Sequence, residues 1–504
     1  MRKAPALVVV LGVFAALVTT VPIGYLAVRL IQGWQAALAE ILRFRTLELL
    51  GNTGLLVLAV TASALVIGFS QAWLTTKTNV VFAAGFAVSA ALPLAIPSYV
   101  MALSYISIFN GLSGFFAAWL VLTLATSPLV FLAVTAALAR LDSSSEEVAR
   151  TLGFGKLQVL FKVTWPQVRT AATASGLLVA LYVLGEFGAI ALLRYDTFTR
   201  AIYNAYRGSF DRTSAAALAV VLLLITLLVI WFERKYRGVY VASKKQLGKK
   251  LRVELGIWRL PAALWLGLIA IFSTALPISS LVIWSVQGSS NLDLGVLLNA
   301  LWGSVQLAGL AGIGIGIFGT AIALWSIRYR SRLGQIVEWS SWAIHAVPAI
   351  VVGLALVFFG ANVTPWIYQT SWLLLIAYLI LFLPNALAGL ATPIAQVPVL
   401  LEEVSQSLGV PANKSMVRVV LPIALPGIVA AVSLVGLTVL KELPATLLLR
   451  PSSLNTLATR LWGATEDLAY SQAAPYALLL VIIAGLPALA LNLQARRALS
   501  EVRS

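Results

Sequence analysis

Two short stretches of this chain share one pattern of residues that could do chemistry. In each, a glutamate is followed by a glycine six residues later, and a proline comes thirteen residues after the glycine. The first copy has Glu147, Gly153 and Pro166, and the second, 256 residues further on, has Glu403, Gly409 and Pro422. No acid pair, nucleophile–base set or metal-ligand cluster accompanies them, so catalysis is not indicated. A carboxylate, an apolar face and a forced turn are the parts of a protein-docking element.

The local spacing predicts a helix–turn–helix in both stretches. In the first, Val148 and Leu152 share one face of a short helix, and Gly153 ends it by adopting the left-handed conformation. A second short amphipathic helix follows, and Pro166 then begins the next span, where its missing amide proton costs nothing. Pro411 forbids one continuous helix in the second stretch. A single copy would equally fit a helix resting at a membrane interface, but two copies with identical spacing favour docking.

Charged residues inside apolar stretches form a second group of candidates. A charge within a bilayer costs roughly 2.5 to 3.5 kcal/mol on insertion scales, so such residues are expected to face the bundle interior or water. The predicted pathway or outer-gate residues are Glu186, Arg194, Lys441, Glu442 and Arg450. Glu186 lies about 20 residues beyond the first repeated proline, roughly 30 Å along a helix, near the outer end of a span. A salt bridge around Lys441 and Glu442 is an equally weighted alternative.

The composition indicates that most of the chain lies in a lipid bilayer. Apolar residues make up 60% of the 504 residues and charged residues only 11%. Apolar runs long enough to cross a hydrocarbon layer of about 30 Å recur along the whole chain, which no soluble protein of this size could carry. There is no cysteine, and the one histidine, His345, is interpreted as a hydrogen-bonded helix residue. The sequence therefore predicts an all-α, polytopic membrane protein.

Hydropathy predicts about twelve membrane-spanning helices, six in each half of the chain. The first six lie near residues 6–28, 53–75, 80–108, 113–138, 168–193 and 213–232. The second six lie near residues 260–286, 302–326, 337–360, 368–392, 423–449 and 475–493. The first run is too long for a signal-peptide core of about 7 to 15 residues, so we expect an uncleaved span.

The bias of lysine and arginine predicts the orientation. With the N-terminus in the cytoplasm, about 25 of the 35 basic residues fall on the cytoplasmic side. Anionic lipid head groups then account for the net charge of +17 without nucleic acid as a partner. Six spans per half return the chain to its starting side, which predicts two parallel repeats with both termini in the cytoplasm, whereas inverted repeats need an odd number.

The predicted organisation has three parts. A first repeat covers residues 1–232, a basic cytoplasmic linker covers 233–259, and a second repeat covers 260–504. The repeated loops occupy 143–166 and 399–422. Duplication is the simplest account of the constant offset, which also relates Glu186 to Glu442. Two like loops on one face suit two like partners.

The repeated loop resembles the EAA loop in the permease subunits of binding-protein-dependent ABC importers. In that family the motif is a glutamate, small residues, a glycine six residues later and a proline thirteen beyond. This chain departs from it modestly, with Val148 and Val404 at the first alanine and Ser405 at the second. The resemblance implies a type I importer fold in which each loop forms a coupling helix that enters a groove on an ATP-hydrolysing subunit.

The resemblance also implies roles for the loop residues. Glu147 and Glu403 would anchor the docking, and Gly153 and Gly409 would make the turn. The full set of predicted ATPase-coupling residues is Glu147, Ala149, Gly153, Pro166, Glu403, Gly409 and Pro422.

The implied partners are two copies of a cytoplasmic ATP-binding subunit and a periplasmic or lipid-anchored substrate-binding protein, at a bacterial inner membrane. The chain itself lacks a phosphate-binding loop, because its glycine–lysine pairs at Gly155 and Gly248 are not followed by serine or threonine. We therefore expect a non-hydrolytic translocation subunit that binds no cofactor directly, with ATP and Mg on the partner ATPase.

The cargo is indicated by two further stretches. LKELPATLLLRP in the second half and FGAIALLRYDTFTRAIY in the first are similar to the fused ferric-iron permeases, although similar fused permeases import thiamine or aminoethylphosphonate. Ferric iron prefers carboxylate and phenolate oxygens, and Tyr195, Tyr203 and Tyr206 cluster near the outer end of the fifth span. Tyrosine is ordinarily an interfacial anchor, which is the favoured interpretation. The rival class is an ion-coupled secondary transporter, which needs carboxylates near the membrane midplane.

Overall fold

A computed structural model describes residues 4–141, 144–207, 212–236, 253–288, 293–329, 331–344 and 347–501. The predicted linker lies outside these residues from 237 to 252, and so does His345. The described chain is helical almost throughout, with one isolated bridge between Thr78 and Val253. The predicted all-α fold class is confirmed.

The helices are numbered here in chain order. The first half contains α1 (Ala6–Gln32), α2 (Trp34–Ile41), α3 (Phe44–Lys77), α4 (Ala83–Ala91), α5 (Ser98–Ile108), α6 (Gly114–Arg140), α7 (Ser144–Thr151), α8 (Lys156–Val159), α9 (Trp165–Gly185), α10 (Gly188–Leu192), α11 (Phe198–Arg207) and α12 (Arg212–Tyr236). The second half contains α13 (Arg259–Ala270), α14 (Leu276–Gln287), α15 (Leu294–Leu324), α16 (Arg332–Ala343), α17 (Ala349–Asn362), α18 (Ser371–Gln396), α19 (Val399–Ser407), α20 (Ala412–Ser415), α21 (Leu421–Leu440), α22 (Pro444–Leu449), α23 (Leu457–Glu466) and α24 (Tyr470–Glu501).

Nine helices in the described residues are long and apolar enough to cross a membrane, and one bent pair brings the number to ten. Two shorter apolar helices, Ala349–Asn362 and Tyr470–Gly485, lie where the remaining predicted spans of the second half were expected. The polytopic architecture is therefore confirmed, although several predicted spans are not single straight helices.

Two of the predicted spans break at a proline instead of forming continuous helices. The span expected at 80–108 bends by 99° before α5, and the span expected at 337–360 is divided between α16 and α17. Pro97 and Pro348 stand directly before α5 and α17 with ψ of 144° and 147°, outside the helical range. A proline removes one helical hydrogen bond and disfavours the α conformation at the residue before it, which explains both breaks.

Three helices instead pass a proline without breaking, through a wider π-helical turn. These turns are Leu160–Thr164, Ile271–Ala275 and Met416–Val420, and each ends two residues before a proline, at Pro166, Pro277 and Pro422. A single π turn locally rearranges the hydrogen-bond ladder, so the missing donor of the proline is tolerated. The chain therefore runs on as one apolar helical segment from Lys156 to Gly185 and from Ala412 to Leu440.

Contacts divide the chain into two compact units, each built from both halves of the sequence. Unit 1 comprises Met1–Ile41, Ile202–Leu223 and Leu292–Gly463, and unit 2 comprises Leu42–Ala201, Leu224–Asn291 and Ala464–Ser504. Within unit 1, α1 packs against α15, α16 and α17; within unit 2, α14 packs against α5 and α24. The compact units therefore do not follow the boundaries of the sequence repeats.

Each unit has a core of three long helices that occupy equivalent places in the repeats. In unit 2, α3 packs against α6 and α9, and in unit 1, α15 packs against α18 and α21. A Cβ atom at Gly68 would lie 2.6 Å from Cβ of Val130, and one at Gly319 would lie 2.8 Å from Cδ1 of Leu390. Gly319 follows Gly68 by 251 residues. Small residues let helices approach closely within a bilayer, and a glycine at a close helix contact occurs in both cores.

Candidate functional site

The first repeated loop turns at Gly153. Helix α7 ends there because Gly153 has φ of +83°, the left-handed conformation expected for this residue from the sequence. The amide of Phe154 donates to the carbonyl of Ala149 at 3.0 Å, and the amide of Gly153 donates to that of Arg150 at 3.0 Å. This pair of bonds is the Schellman cap, which satisfies the last carbonyls of a helix.

The second loop has the same turn, built with different neighbours. Gly409 has φ of +84°, the amide of Val410 donates to the carbonyl of Ser405 at 3.2 Å, and the amide of Gly409 donates to that of Gln406 at 3.0 Å. A Cβ atom at Gly153 or Gly409 would meet no atom within 4 Å. The requirement for glycine is therefore one of backbone conformation and not of space.

One face of each loop helix is exposed and apolar. In the first loop, Val148 is 57% exposed and Leu152 71%, and in the second, Val404 is 48% exposed and Leu408 78%. The predicted docking carboxylates Glu147 and Glu403 are exposed on the same helices, whereas Ala149 is buried beneath α7. An exposed apolar patch beside a carboxylate is the kind of surface that another protein can cover.

Buried carboxylates stand directly before the predicted docking glutamates, and the sequence analysis missed them. Glu146 is 4% exposed and Glu402 is 3% exposed. The Nζ atom of Lys77 lies 3.0 Å from Oε1 of Glu146, and the hydroxyl of Thr164 donates to the same oxygen at 3.0 Å. The signal was the i, i+3 spacing of Glu146 and Ala149, which puts both on one face of α7.

The second short helix of each loop differs from the prediction. Helix α8 does not end before Pro166 but continues through the π turn into α9, and α20 continues in the same way past Pro422 into α21. Neither proline begins a separate span as expected, because the π turn accommodates its missing donor. The loop is therefore one short helix, a glycine turn and the start of the next long helix.

Glu186 lies at a helix break and not inside a span. Helix α9 ends at Gly185, so the predicted span 168–193 is interrupted. The Oε1 atom of Glu186 accepts from the amide of Ala189 at 3.0 Å, and the Oε2 atom accepts from the hydroxyl of Ser98 at 2.8 Å. The carboxylate thus caps the short helix α10 and ties it to the start of α5.

Glu442 is the equivalent residue of the second repeat, and its carboxylate caps the short helix α22. Helix α21 ends at Leu440, which interrupts the predicted span 423–449. The carboxylate, 8% exposed, accepts from the amides of Ala445 at 2.7 Å and Thr446 at 2.9 Å, and from the Thr446 hydroxyl. The hydroxyls of Tyr378 and Thr446 lie 2.8 Å apart, so a buried polar cluster surrounds the cap.

The three predicted basic pathway residues occupy dissimilar places. Arg194 is exposed and has φ of +54°, a left-handed conformation at the end of α10. Arg450 is half-buried and donates from Nη1 to the carbonyl of Leu454 at 2.9 Å and to Oδ1 of Asn455 at 3.2 Å. Lys441 is half-buried at the C-terminal cap of α21. The repeat therefore conserves the position of the arginines along the chain but not their burial or backbone conformation.

The tyrosines considered for ferric iron do not form one exposed group. The hydroxyl of Tyr195 donates to the carbonyl of Asn52 at 3.2 Å, Tyr203 is 8% exposed, and Tyr206 is half-buried. Among the described residues, no three histidine, cysteine, aspartate or glutamate side chains lie close enough to hold a metal ion together.

Comparison with known proteins identifies relatives of both halves. A family model described as "Binding-protein-dependent transport system inner membrane component" matches residues 64–236 and again residues 312–500. Each match contains one of the two repeated loops.

Three proteins illustrate the range of similarity. The chain is 34% identical over 496 residues to the Fe(3+)-transport system permease protein FbpB 2 of Haemophilus influenzae, covering 96% of this chain and 98% of that one. It is 24% identical to the ferric transport system permease protein FbpB of Actinobacillus pleuropneumoniae, over 74% of this chain and 58% of that one. It is also 26% identical to the putative 2-aminoethylphosphonate transport system permease protein PhnV of Salmonella paratyphi A, over 40% of this chain and 78% of that one.

Proposed function

Because the chain belongs to the family of binding-protein-dependent transport system inner membrane components, we propose that it is the permease of an ATP-driven importer that carries ferric iron into the cytoplasm. Two copies of an ATP-hydrolysing subunit bind its repeated loops, and a substrate-binding protein delivers the cargo on the opposite side of the inner membrane. Both termini face the cytoplasm.

The observation that carries this proposal is the pair of matching loop turns. Gly153 and Gly409 have φ values within one degree of each other, and each turn follows a helix with an exposed apolar face. Two equal docking elements fit two equal partners. In this proposal Glu147 and Glu403 hold the partners, and nucleotide-driven closure of the ATPases moves the loops. ATP and Mg bind only to those partners.

The cargo is proposed from similarity. The match to the relative named for Fe(3+) transport covers 96% of this chain, whereas the match to the one named for 2-aminoethylphosphonate covers 40%. Thiamine or an organophosphonate is the alternative cargo for the same permease role. Ferric iron would pass as the transported substrate and not as a resident metal.

The hydrogen bonds of the carboxylates favour an ATP-driven importer over an ion-coupled secondary transporter. Glu186 and Glu442 accept hydrogen bonds from backbone amides at helix breaks, which occupies their oxygens with a capping role. We propose that these two residues, with Arg194, Lys441 and Arg450, shape the passage by fixing the short helices α10 and α22. Their role is then to hold a gate in place and not to carry a coupling ion.

The test is uptake by the reconstituted complex. The chain is placed in proteoliposomes with an ATPase subunit and a substrate-binding protein of the same organism, and uptake of radioactive ferric iron, thiamine and 2-aminoethylphosphonate is measured with ATP or with a non-hydrolysable analogue. We expect ATP-dependent uptake of iron alone. Uptake driven by an ion gradient without ATP would overturn the importer proposal, and ATP-dependent uptake of another cargo would overturn the assignment of iron.

The orientation has its own test, which the absence of cysteine simplifies. Single cysteines replace Arg150 and Gln406, one in each loop, and are labelled in intact cells with a membrane-impermeant maleimide. Both should react only after the inner membrane is opened. Labelling of the two positions from opposite sides would contradict parallel repeats.

A further inference from the structure

A buried ion pair joins the first loop to a distant helix. Lys77 is the last residue of α3 and is 8% exposed, and Glu146 lies on α7 and is 4% exposed. Their Nζ and Oε1 atoms are 3.0 Å apart. Since the partners are 69 residues apart in the chain, this contact is tertiary and not part of the local turn.

The shared oxygen of Glu146 also fixes the other side of the loop. The hydroxyl of Thr164, the last residue of the π turn before α9, donates to that oxygen at 3.0 Å. One carboxylate oxygen therefore links the loop helix α7 to the end of α3 and to the start of α9. Both α3 and α9 belong to the three-helix core of unit 2.

The backbone of the same lysine holds the chain that enters α13. The carbonyl of Lys77 accepts from the amide of Val253 at 2.7 Å. On the loop side, Nζ of Lys156 donates to the carbonyl of Glu254 at 2.6 Å. The segment at 253–254 thus bonds to the end of α3 and to the loop beyond the glycine turn. These three pieces of chain meet around Lys77.

The second repeat has a cation at the equivalent position. Arg328 follows Lys77 by 251 residues, the offset that also relates the helix-breaking prolines Pro97 and Pro348. Its Nη2 atom donates to the carbonyl of Ile394, in the last turn of α18, at 2.9 Å and to that of Val397, two residues before the loop helix α19, at 2.5 Å. A basic residue at the end of the first core helix, α3 or α15 with its π turn, therefore contacts the chain in the loop or just before it, through a carboxylate in one repeat and through carbonyls in the other.

We propose that Lys77 is a positioning residue for the first coupling loop, which holds α7 against the end of α3 so that displacement of the loop moves α3 together with α9. Without the ion pair, α7 is held to the core by the chain itself, through α6 before it and α8 and α9 after it, and by the hydrogen bond from Thr164. A buried salt bridge with a second hydrogen bond is a stiff connection, because separating it leaves a charge without compensation. This inference rests on the proposed coupling function.

The first experiment measures the loop in the purified chain without any partner. A cysteine replaces exposed Val148, and its spin label reports mobility by electron paramagnetic resonance. Lys77→Met should shorten the rotational correlation time at least twofold, and Glu146→Gln should act in the same direction. The matched control carries the label at Val404 in the second loop, where Lys77→Met should change nothing. Glu48→Gln, an exposed charge removed from the same helix α3, is the control for charge alone.

The second experiment uses the full complex and counts iron imported per ATP hydrolysed. Lys77→Met should lower this ratio at least tenfold while the amount of ATPase bound changes less than twofold. Exchange of the charges, Lys77→Glu with Glu146→Lys, should restore at least half of the ratio. If Lys77→Met fails to insert, Glu146→Gln, which keeps an oxygen for Thr164, provides both readings.

The outcomes separate the two ideas. Unchanged mobility at position 148 in Lys77→Met or Glu146→Gln overturns the positioning role, whatever the complex does. Changed mobility with an unchanged transport ratio overturns it as well. Failure of the unaltered chain to bind any ATPase defeats the proposed function, and the mobility result would then describe a structural contact only.

Discussion

Gly153 and Gly409, 256 residues apart, have left-handed backbones with φ of +83° and +84°, and each closes the same pair of helix-capping hydrogen bonds. Neither would place a Cβ atom against a neighbour. A side chain at these positions is opposed by the backbone conformation alone, which makes the turns a selective target for substitution.

Valine at both glycines should abolish transport. A β-branched residue in the left-handed conformation costs about 1 to 2 kcal/mol or more, so the turn would open and carry the exposed helix faces out of position. Asparagine tolerates this conformation and should retain most of the activity. Uptake and membrane insertion are measured for both double variants. Equal transport by the valine and asparagine variants would count against a requirement for the turn.

Removal of the Glu442 carboxylate should destabilise the second repeat. Glu442→Ala leaves the amides of Ala445 and Thr446 without their acceptors in a buried place, and each such loss costs about 1 to 3 kcal/mol. Glu442→Gln keeps one acceptor oxygen and should lose less. Thermal unfolding of the detergent-purified chain compares them. A melting temperature unchanged in the alanine variant would refute the capping role.

Gly427→Ala should be poorly tolerated where Gly436→Ala, in the same helix α21, is not. A Cβ atom at position 427 would lie 2.4 Å from Cβ of Pro393, whereas at position 436 the nearest atom is 3.6 Å away. Overpacking of this kind costs about 1 to 3 kcal/mol. Thermal unfolding of the two purified variants measures the difference, and equal losses would show that α18 and α21 are not in close contact.

Pro166→Ala tests the π turn in the first loop. Alanine restores the missing donor, so the π turn can relax to regular α-helix. Because a π turn holds one residue more than an α turn, this relaxation rotates the preceding segment by about 100°. A nitroxide at Leu157 should then change its accessibility to a water-soluble relaxant, and transport should fall. Pro277→Ala, after the equivalent turn between α13 and α14, is the matched control and should leave transport unchanged. A loss of transport in the control alone would contradict the assignment.

The sequence predicted the features that depend on local rules. The apolar runs gave the membrane fold, and the glycine at each turn has the backbone that its position suggested. The constant offset of 256 residues predicted that Gly153 and Gly409 make the same turn, and both have a left-handed backbone. These features follow from hydropathy, helix periodicity and the conformational freedom of glycine, all of which depend on residues close together in the sequence.

The sequence did not predict features that depend on distant partners or on how a proline is accommodated. Pro97 breaks its helix while Pro166 is absorbed by a π turn, although both stand in apolar surroundings. Glu186 lies in an apolar run but caps a helix break, because Ser98 and Ala189 supply donors that hydropathy does not reveal. The pairing of Lys77 with Glu146 spans 69 residues and leaves no local signature.

The make-up of unit 1 has a consequence for synthesis. Helix α1 is made before the helices α15 to α17 that it packs against, which follow nearly 300 residues later. At typical elongation rates of about 5 to 20 residues per second, α1 spends roughly 15 to 60 s in the bilayer before those neighbours exist. During that interval the surface that α15 to α17 later cover is left to lipid, an insertion chaperone or earlier parts of the same chain, so nascent chains that stall before α15 should be prime substrates for membrane quality-control proteases.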